Sequence, residues 1–234
     1  MKPFFTYFGG KWRSAPRYPL PGHNIIVEPF AGSAGYSVRH SARNVFLYDL
    51  DEKVIGVWDY LIRTPAPEIS NLPLDVSEGV DALKVPQEAK WLIGFWLNKG
   101  AAQPCKTPSA WMRKGTHTNS FWGEVIRNRI ASQVEGIRHW KCYHRPYVDV
   151  CSFHNATWFV DPPYQKAGKD YRCSSTNIDF QHLGEWCKSR NGQVLVCENE
   201  GADWLDFKPF LAQKATHGSG RSGVSMEVLY EQNG

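Results

Sequence analysis

Ile25-Ile26-Val27-Glu28-Pro29-Phe30-Ala31-Gly32-Ser33-Ala34-Gly35 runs from an apolar triplet into a glycine-bearing turn, and Ala34 to His40 then carries helical spacing. A short apolar run closed by such a turn reads as a buried strand, and strand, turn and helix in succession make half of a parallel unit. The second half follows at once. Val45-Phe46-Leu47-Tyr48 is another apolar run, ending on Asp49, and Glu52 to Leu61 again places apolar residues at helical intervals. Two such units predict an α/β fold with a mostly parallel sheet flanked by helices.

The same stretch suggests a ligand. Gly32 and Gly35 leave room for close backbone approach, and Asp49 at the next strand end is placed to accept hydrogen bonds from a ribose diol. A dinucleotide site would look similar. The turn, however, lacks a full GxGxxG fingerprint, and Glu28 beside it would repel a pyrophosphate. A cationic ligand fits better: S-adenosyl-L-methionine (AdoMet) carries a sulfonium, an ammonium and a ribose, and no phosphate.

A third apolar run, Trp158-Phe159-Val160, ends in Asp161-Pro162-Pro163-Tyr164. Open α/β sheets bind ligands at such strand ends. An ionised Asp there accepts an N–H from an exocyclic amine, two prolines stiffen the turn and leave their carbonyls as further acceptors, and a Tyr offers a stacking face. An amine whose lone pair is delocalised into a ring needs such acceptors to take up a geometry fit for attack. A rigid turn with Asp as a helix cap reads equally well from the four residues alone.

Between these strands the pattern changes. Thr64 to Val85 is broken by Pro65, Pro67 and Pro73 and reads as an irregular connection; Glu88 to Asn98 and Ser120 to Trp140 read as helical. Lys99 to Asn119 carries Lys99, Lys106, Arg113, Lys114 and His117 among Gly, Pro, Ser and Thr and no acid, the pattern of an exposed basic loop. Val148-Asp149-Val150 is expected to lead back into the sheet as a strand. Further on, 166–176 reads as a mobile polar loop, Asp179 to Ser189 as a helix, Gln193 to Cys197 as a strand, 217–223 as flexible, and Glu227 to Tyr230 as an edge strand.

With 234 residues and a net charge of +4, the chain is sized for one α/β domain with a small accessory lobe, mildly basic as a nucleic-acid partner permits. No signal peptide or membrane span is expected, so the protein reads as soluble and cytoplasmic. The six cysteines include no CxxC pair and are expected as free thiols. Cys142, His144, Cys151 and His154 match no common zinc spacing, and no metal is expected.

Taken in order, the pieces resemble the Dam-type (D12 class, α group) DNA adenine N6-methyltransferases. Tyr7-Phe8-Gly9-Gly10-Lys11 is similar to the family's N-terminal AdoMet element, with Tyr7 where members often have Trp. Val27 to Gly35 is similar to its glycine motif, Tyr48-Asp49-Leu50-Asp51 to its ribose-binding strand end, Phe159 to Tyr164 to its catalytic motif, and Arg221 through Tyr230 to its C-terminal strand. The resemblance implies a Rossmann-like AdoMet-dependent methyltransferase domain made of residues 1–64 and 151–234, and a mainly helical target-recognition insert at 65–150. It further implies AdoMet held by Tyr7, Gly9, Lys11, Glu28, Pro29, Phe30, Ala31, Gly32, Ser33, Gly35, Asp49, Leu50 and Asp161.

Catalysis would fall to Asp161, Pro162, Pro163 and Tyr164: a flipped adenine stacks on Tyr164 while Asp161 and the Pro162 carbonyl accept its amine hydrogens. Lys99, Arg113, Lys114, Asn119 and Arg127 are the residues assigned to double-stranded DNA, on charge and position. A monomer or weak dimer is expected, with or without a companion restriction endonuclease. Other readings are N4-cytosine methylation (for which Ser more often replaces Asp161), an RNA or protein amide target, a catalytically silent DNA- or AdoMet-binding regulator, and an NAD-dependent dehydrogenase.

Overall fold

The computed structural model describes residues 1–98, 100–115, 118–166, 175–216 and 222–234. Its centre is a seven-stranded sheet built from β1 (Ile25–Glu28), β2 (Asn44–Asp49), β3 (Lys141–His144), β4 (Ala156–Val160), β5 (Gly192–Asn199), β6 (Lys208–Thr216) and β7 (Ser222–Gln232). The strand order is β3-β2-β1-β4-β5-β7-β6. Neighbours from β3 to β5 pair in parallel, and β7 runs antiparallel to both β5 and β6.

Side-chain alternation along the strands divides the core in two, since successive residues point to opposite faces. Ile26, Val45, Leu47, Phe159, Leu195 and Cys197 face one apolar cluster; Val27, Tyr48, Trp158, Val160, Val194 and Val196 face the other. The first face is covered by α1 (Gly35–Arg39) and α2 (Glu52–Arg63), which contribute Tyr36, Val38, Val57, Trp58 and Leu61. α7 (Phe180–Lys188) covers the second with Leu183 and Trp186.

Between α2 and β3 the chain forms α3 (Ala66–Ser70), α4 (Gln87–Phe95), α5 (Ala110–Arg113) and α6 (Glu124–Ala131). Leu92, Phe95, Ile126 and Ile130 from these helices join the same cluster as Phe4, Phe5 and Trp58. The insert therefore packs onto the sheet's first face through shared apolar surface, where burial of a Leu or Phe contributes about 2 kcal/mol.

Several expectations are corrected. The 64–85 connection contains the helix α3 and a 3-10 turn at Val80–Ala82; Pro65 and Pro67, expected to break the chain's pattern, stand at the start of α3, where proline is tolerated. Ser120–Trp140 is two pieces, α6 and a 3-10 turn at Val134–Ile137. The returning strand is Lys141–His144 rather than Val148–Val150; Tyr147–Asp149 is a 3-10 turn after Pro146. The chain thus rejoins the sheet at Lys141. β7 is interior, and the edge belongs to β6, where Pro209 sits beside a register shift, as proline on an edge strand does. The segments 167–174 and 217–221, expected to be mobile, lie outside the described residues.

Candidate active site

The strand order reverses its growth between β1 and β4, and the crevice outside the C-terminal ends of those strands is where such sheets hold ligands. A cleft of about 200 Å³ opens there. Its wall contains every residue assigned to the cofactor: Tyr7, Gly9 and Lys11; Glu28, Pro29, Phe30, Ala31, Gly32, Ser33 and Gly35; Asp49 and Leu50; and Asp161.

The turn after β1 is fixed largely by the protein itself. Gly32 N–H donates to Asp49 Oδ2 at 2.9 Å, Asp51 N–H donates to Asp49 Oδ1 at 2.9 Å, and Ala31 N–H donates to the Tyr48 carbonyl at 2.9 Å. Gly32 has φ +45°, a left-handed value, and a Cβ on it would lie 3.1 Å from the Tyr7 ring. Gly35 serves the protein rather than a ligand: its Cβ would lie 2.3 Å from Trp12 N, so the glycine admits the Lys11–Trp12 backbone. Ala34 holds φ 47° between them, a strained value for a residue with a Cβ.

Electrostatics follow from burial. Glu28 is buried at the end of β1, accepts Ser37 N–H at 2.8 Å, and is pushed up to about 8 by desolvation. It is therefore mostly neutral at neutral pH, which corrects the expectation that its charge repels phosphate. Asp49 is raised to about 6 by burial, against the pull of its backbone hydrogen bonds, and is ionised at neutral pH.

Lys11 and Asp161 form the cleft's ion pair. Lys11 Nζ donates to Asp161 Oδ1 at 2.7 Å, to Asp161 Oδ2 at 2.8 Å and to the Gly9 carbonyl at 3.0 Å, which engages all three of its hydrogens. Burial opposes the Lys11 charge, but Asp161 beside it wins and holds it well above the ordinary lysine value. Burial raises Asp161 above the ordinary carboxylate range, against the opposing pull of the Lys11 ammonium and its two hydrogen bonds. Lys11 lines the cleft as its cofactor assignment requires, yet its ammonium is spent on Asp161.

The tetrapeptide Asp161-Pro162-Pro163-Tyr164 is divided. Asp161 and Pro163 line the cleft, whereas Pro162 is buried. Tyr164, expected to stack on a flipped base, is half-buried and packs against the core cluster; its hydroxyl is buried and its ring lies 4.9 Å from Lys11 Nζ. The cleft wall also includes Phe8, Tyr147, Asn177 and Ile178, which carry no site assignment from sequence. Phe8 stands within a quoted motif and is 46% exposed. Tyr147 gives no sequence signal: it stacks on Phe30 at 5.6 Å and its hydroxyl meets His182 Nδ1 at 2.7 Å.

Of the residues assigned to DNA, Arg113, Lys114 and Asn119 are exposed, and Lys99 lies outside the described residues. Arg127 is turned to structure: its guanidinium donates to the Leu72 carbonyl at 2.9 Å, tying α6 to the chain after α3. In the cysteine–histidine segment, His144 Nε2 meets the Leu50 carbonyl at 2.9 Å and burial pushes the Cys142 thiol up to about 12. No group of three or more His, Cys, Asp or Glu among the described residues is arranged to hold a metal, and none of the described helices is long and apolar enough to cross a membrane.

The donor set matches AdoMet better than a phosphate. Apart from the mostly neutral Glu28, the acids Asp49, Asp51 and Asp161 line the cleft with the ammonium of Lys11, and the Gly32 amide already serves Asp49. Ionised Asp49 keeps lone pairs for two ribose hydroxyls.

Strand order and cleft position together define the Rossmann-like fold of AdoMet-dependent methyltransferases: an order beginning 3-2-1-4-5, with a reversed strand inserted before the last. No family model matches the chain, and a search of curated proteins finds no match. Two solved structures of the rRNA methyltransferase aviRa from Streptomyces viridochromogenes are similar to 99% of this chain and 88% of theirs. Sequence identity is 12% with each, and the TM-scores are 0.41 and 0.40.

Proposed function

We propose that the protein is an AdoMet-dependent methyltransferase that modifies the exocyclic N6 amine of adenine in double-stranded DNA. The observation that carries this reading is the position of the Asp161 carboxylate, at the end of β4 and on the wall of the cleft that the glycine turn and Asp49 share. AdoMet, when bound, supplies an electrophilic methyl group on its sulfonium. The chain's own residues do the rest.

Asp49 and the glycine turn hold the ribose side, and Asp161 accepts a hydrogen of the amine. An ionised carboxylate has about four acceptor positions, of which Lys11 takes two, so the amine has acceptors left. Lys11 opposes the rise that burial imposes on Asp161 and fixes the rotamer of its carboxyl, which is preorganisation of the acceptor. The proton lost by the amine passes to solvent, since Asp161, already held by Lys11, is a poor final proton store. The adenine specificity rests on Asp161 where N4-cytosine enzymes more often carry Ser.

The test is Asp161→Asn, which keeps the shape and removes the charge. At saturating AdoMet, with binding followed by calorimetry, methyl transfer to duplex DNA should fall by at least about 100-fold. Near-normal transfer by the variant would remove Asp161 from the mechanism. Binding of NAD in place of AdoMet would overturn the cofactor assignment.

A further inference from the structure

We infer that Gln103 is a positioning residue of the cofactor site, reaching it from the basic segment of the insert. Its Nε2 donates to Asp51 Oδ2 at 2.8 Å and its Oε1 accepts from Lys53 Nζ at 3.0 Å. Asp51 is 2% exposed and lines the cleft. Its Oδ1 caps α2 by accepting Lys53 N–H at 2.9 Å, and its own N–H donates to Asp49 Oδ1. Asp49 Oδ2 in turn accepts Gly32 N–H. A chain of hydrogen bonds thus runs from Gln103 through Asp51 to the acid and the glycine assigned to AdoMet.

Two residues upstream, the Ala101 carbonyl accepts the N–H of Phe8, a cleft-lining residue of the N-terminal element, at 3.3 Å. Residues 101–103 therefore join both sides of the cleft mouth.

The residue type fits the task. A buried carboxylate needs donors, and an amide supplies one without adding charge. A lysine or arginine at this position would cancel the negative potential that favours a cationic ligand. Lys53, on the far side of the amide, polarises it and leaves the ammonium at a distance. Gln103 thereby orients Asp51 and Asp49 while sparing the field of the cleft.

This inference rests on the reading of the cleft as an AdoMet site, and the experiment separates the two. AdoMet affinity is measured by calorimetry, with thermal midpoints alongside, for the parent, Gln103→Leu, Gln103→Glu and the double variant Asp51→Asn/Gln103→Glu. Gln103→Leu should weaken AdoMet about tenfold, the cost of a hydrogen bond to a charged group, and Gln103→Glu more, by setting two carboxylates face to face. The double variant reverses the polarity of the pair: the amide introduced on α2's cap donates to the carboxylate introduced on the insert, and Lys53 still donates to that carboxylate. Affinity should exceed that of Gln103→Glu, in which the two carboxylates still face each other.

Thermal midpoints that do not follow the affinity order support a role in positioning. Parent-like AdoMet affinity in Gln103→Leu overturns the inference and leaves the cofactor site standing. So does a double variant no better than Gln103→Glu. A parent protein that binds no AdoMet overturns the reading of the cleft itself.

Discussion

Glu28 closes β1 with a carboxyl buried among the residues of the cleft, and its chemistry is set by desolvation. Its pKa rises from 4.5 to about 8 on folding, so between those values the folded chain holds a proton that the unfolded chain has lost. The sign is fixed: the contribution to stability is complete below pH 4.5 and is lost as pH rises towards about 8. Over that window it tilts stability downward by up to about 1.4 kcal/mol per pH unit. Glu28→Gln, whose amide oxygen still accepts Ser37 N–H, should flatten the slope of denaturation free energy against pH. An unchanged slope would place the titration elsewhere. At this scale the sequence is legible where a residue follows a strand, as Glu28, Asp49 and Asp161 do. It is silent where partners lie far apart: Lys11 meets Asp161 across 150 positions, Gln103 meets Asp51 across 52, and no local pattern encodes either.

Elements are legible in proportion to their burial. β1, β2, β4 and β5 are apolar runs because helices cover both faces, and each is visible as such in the sequence. β3, Lys-Cys-Tyr-His, and β6, with Pro209 and two lysines, lie at the two edges of the sheet and lack that pattern. With β6 hidden, β7 reads as an edge. The basic segment likewise shows its charge but hides the short helix α5, whose N-cap is Ser109 accepting Met112 N–H at 3.2 Å. Met112 anchors this turn in the core cluster, while Trp111 is 61% exposed, with Lys114 Nζ 5.3 Å from its ring, and Arg113 and Lys114 are exposed. If the segment meets DNA phosphates, Arg113→Ala and Lys114→Ala should each weaken duplex binding and lower the slope of log affinity against log salt by about one. Slopes equal to the parent's would remove α5 from the DNA face. Arg127→Ala acts differently: by freeing the Leu72 carbonyl it should lower stability more than DNA affinity.

At the scale of the whole molecule, each functional group stands at a strand end because the sheet brings its strands together with their C-terminal ends on one side. β1 delivers the glycine turn, β2 Asp49 and β4 Asp161, while the N-terminal element threads past Gly35 to set Lys11 against Asp161. The insert leaves after α2 and returns at β3, and residues 101–103 tie it back to the cleft mouth. The central claim is that this cleft transfers a methyl group to adenine N6 in duplex DNA. It is tested most directly by producing the protein in a methylation-deficient cell and mapping modified bases in the cellular DNA by single-molecule sequencing. N6-Methyladenine is expected in one short sequence motif and is absent with Asp161→Asn. Unmodified DNA from cells making a folded, AdoMet-binding protein, or methyl groups found on RNA or protein instead, would contradict the claim.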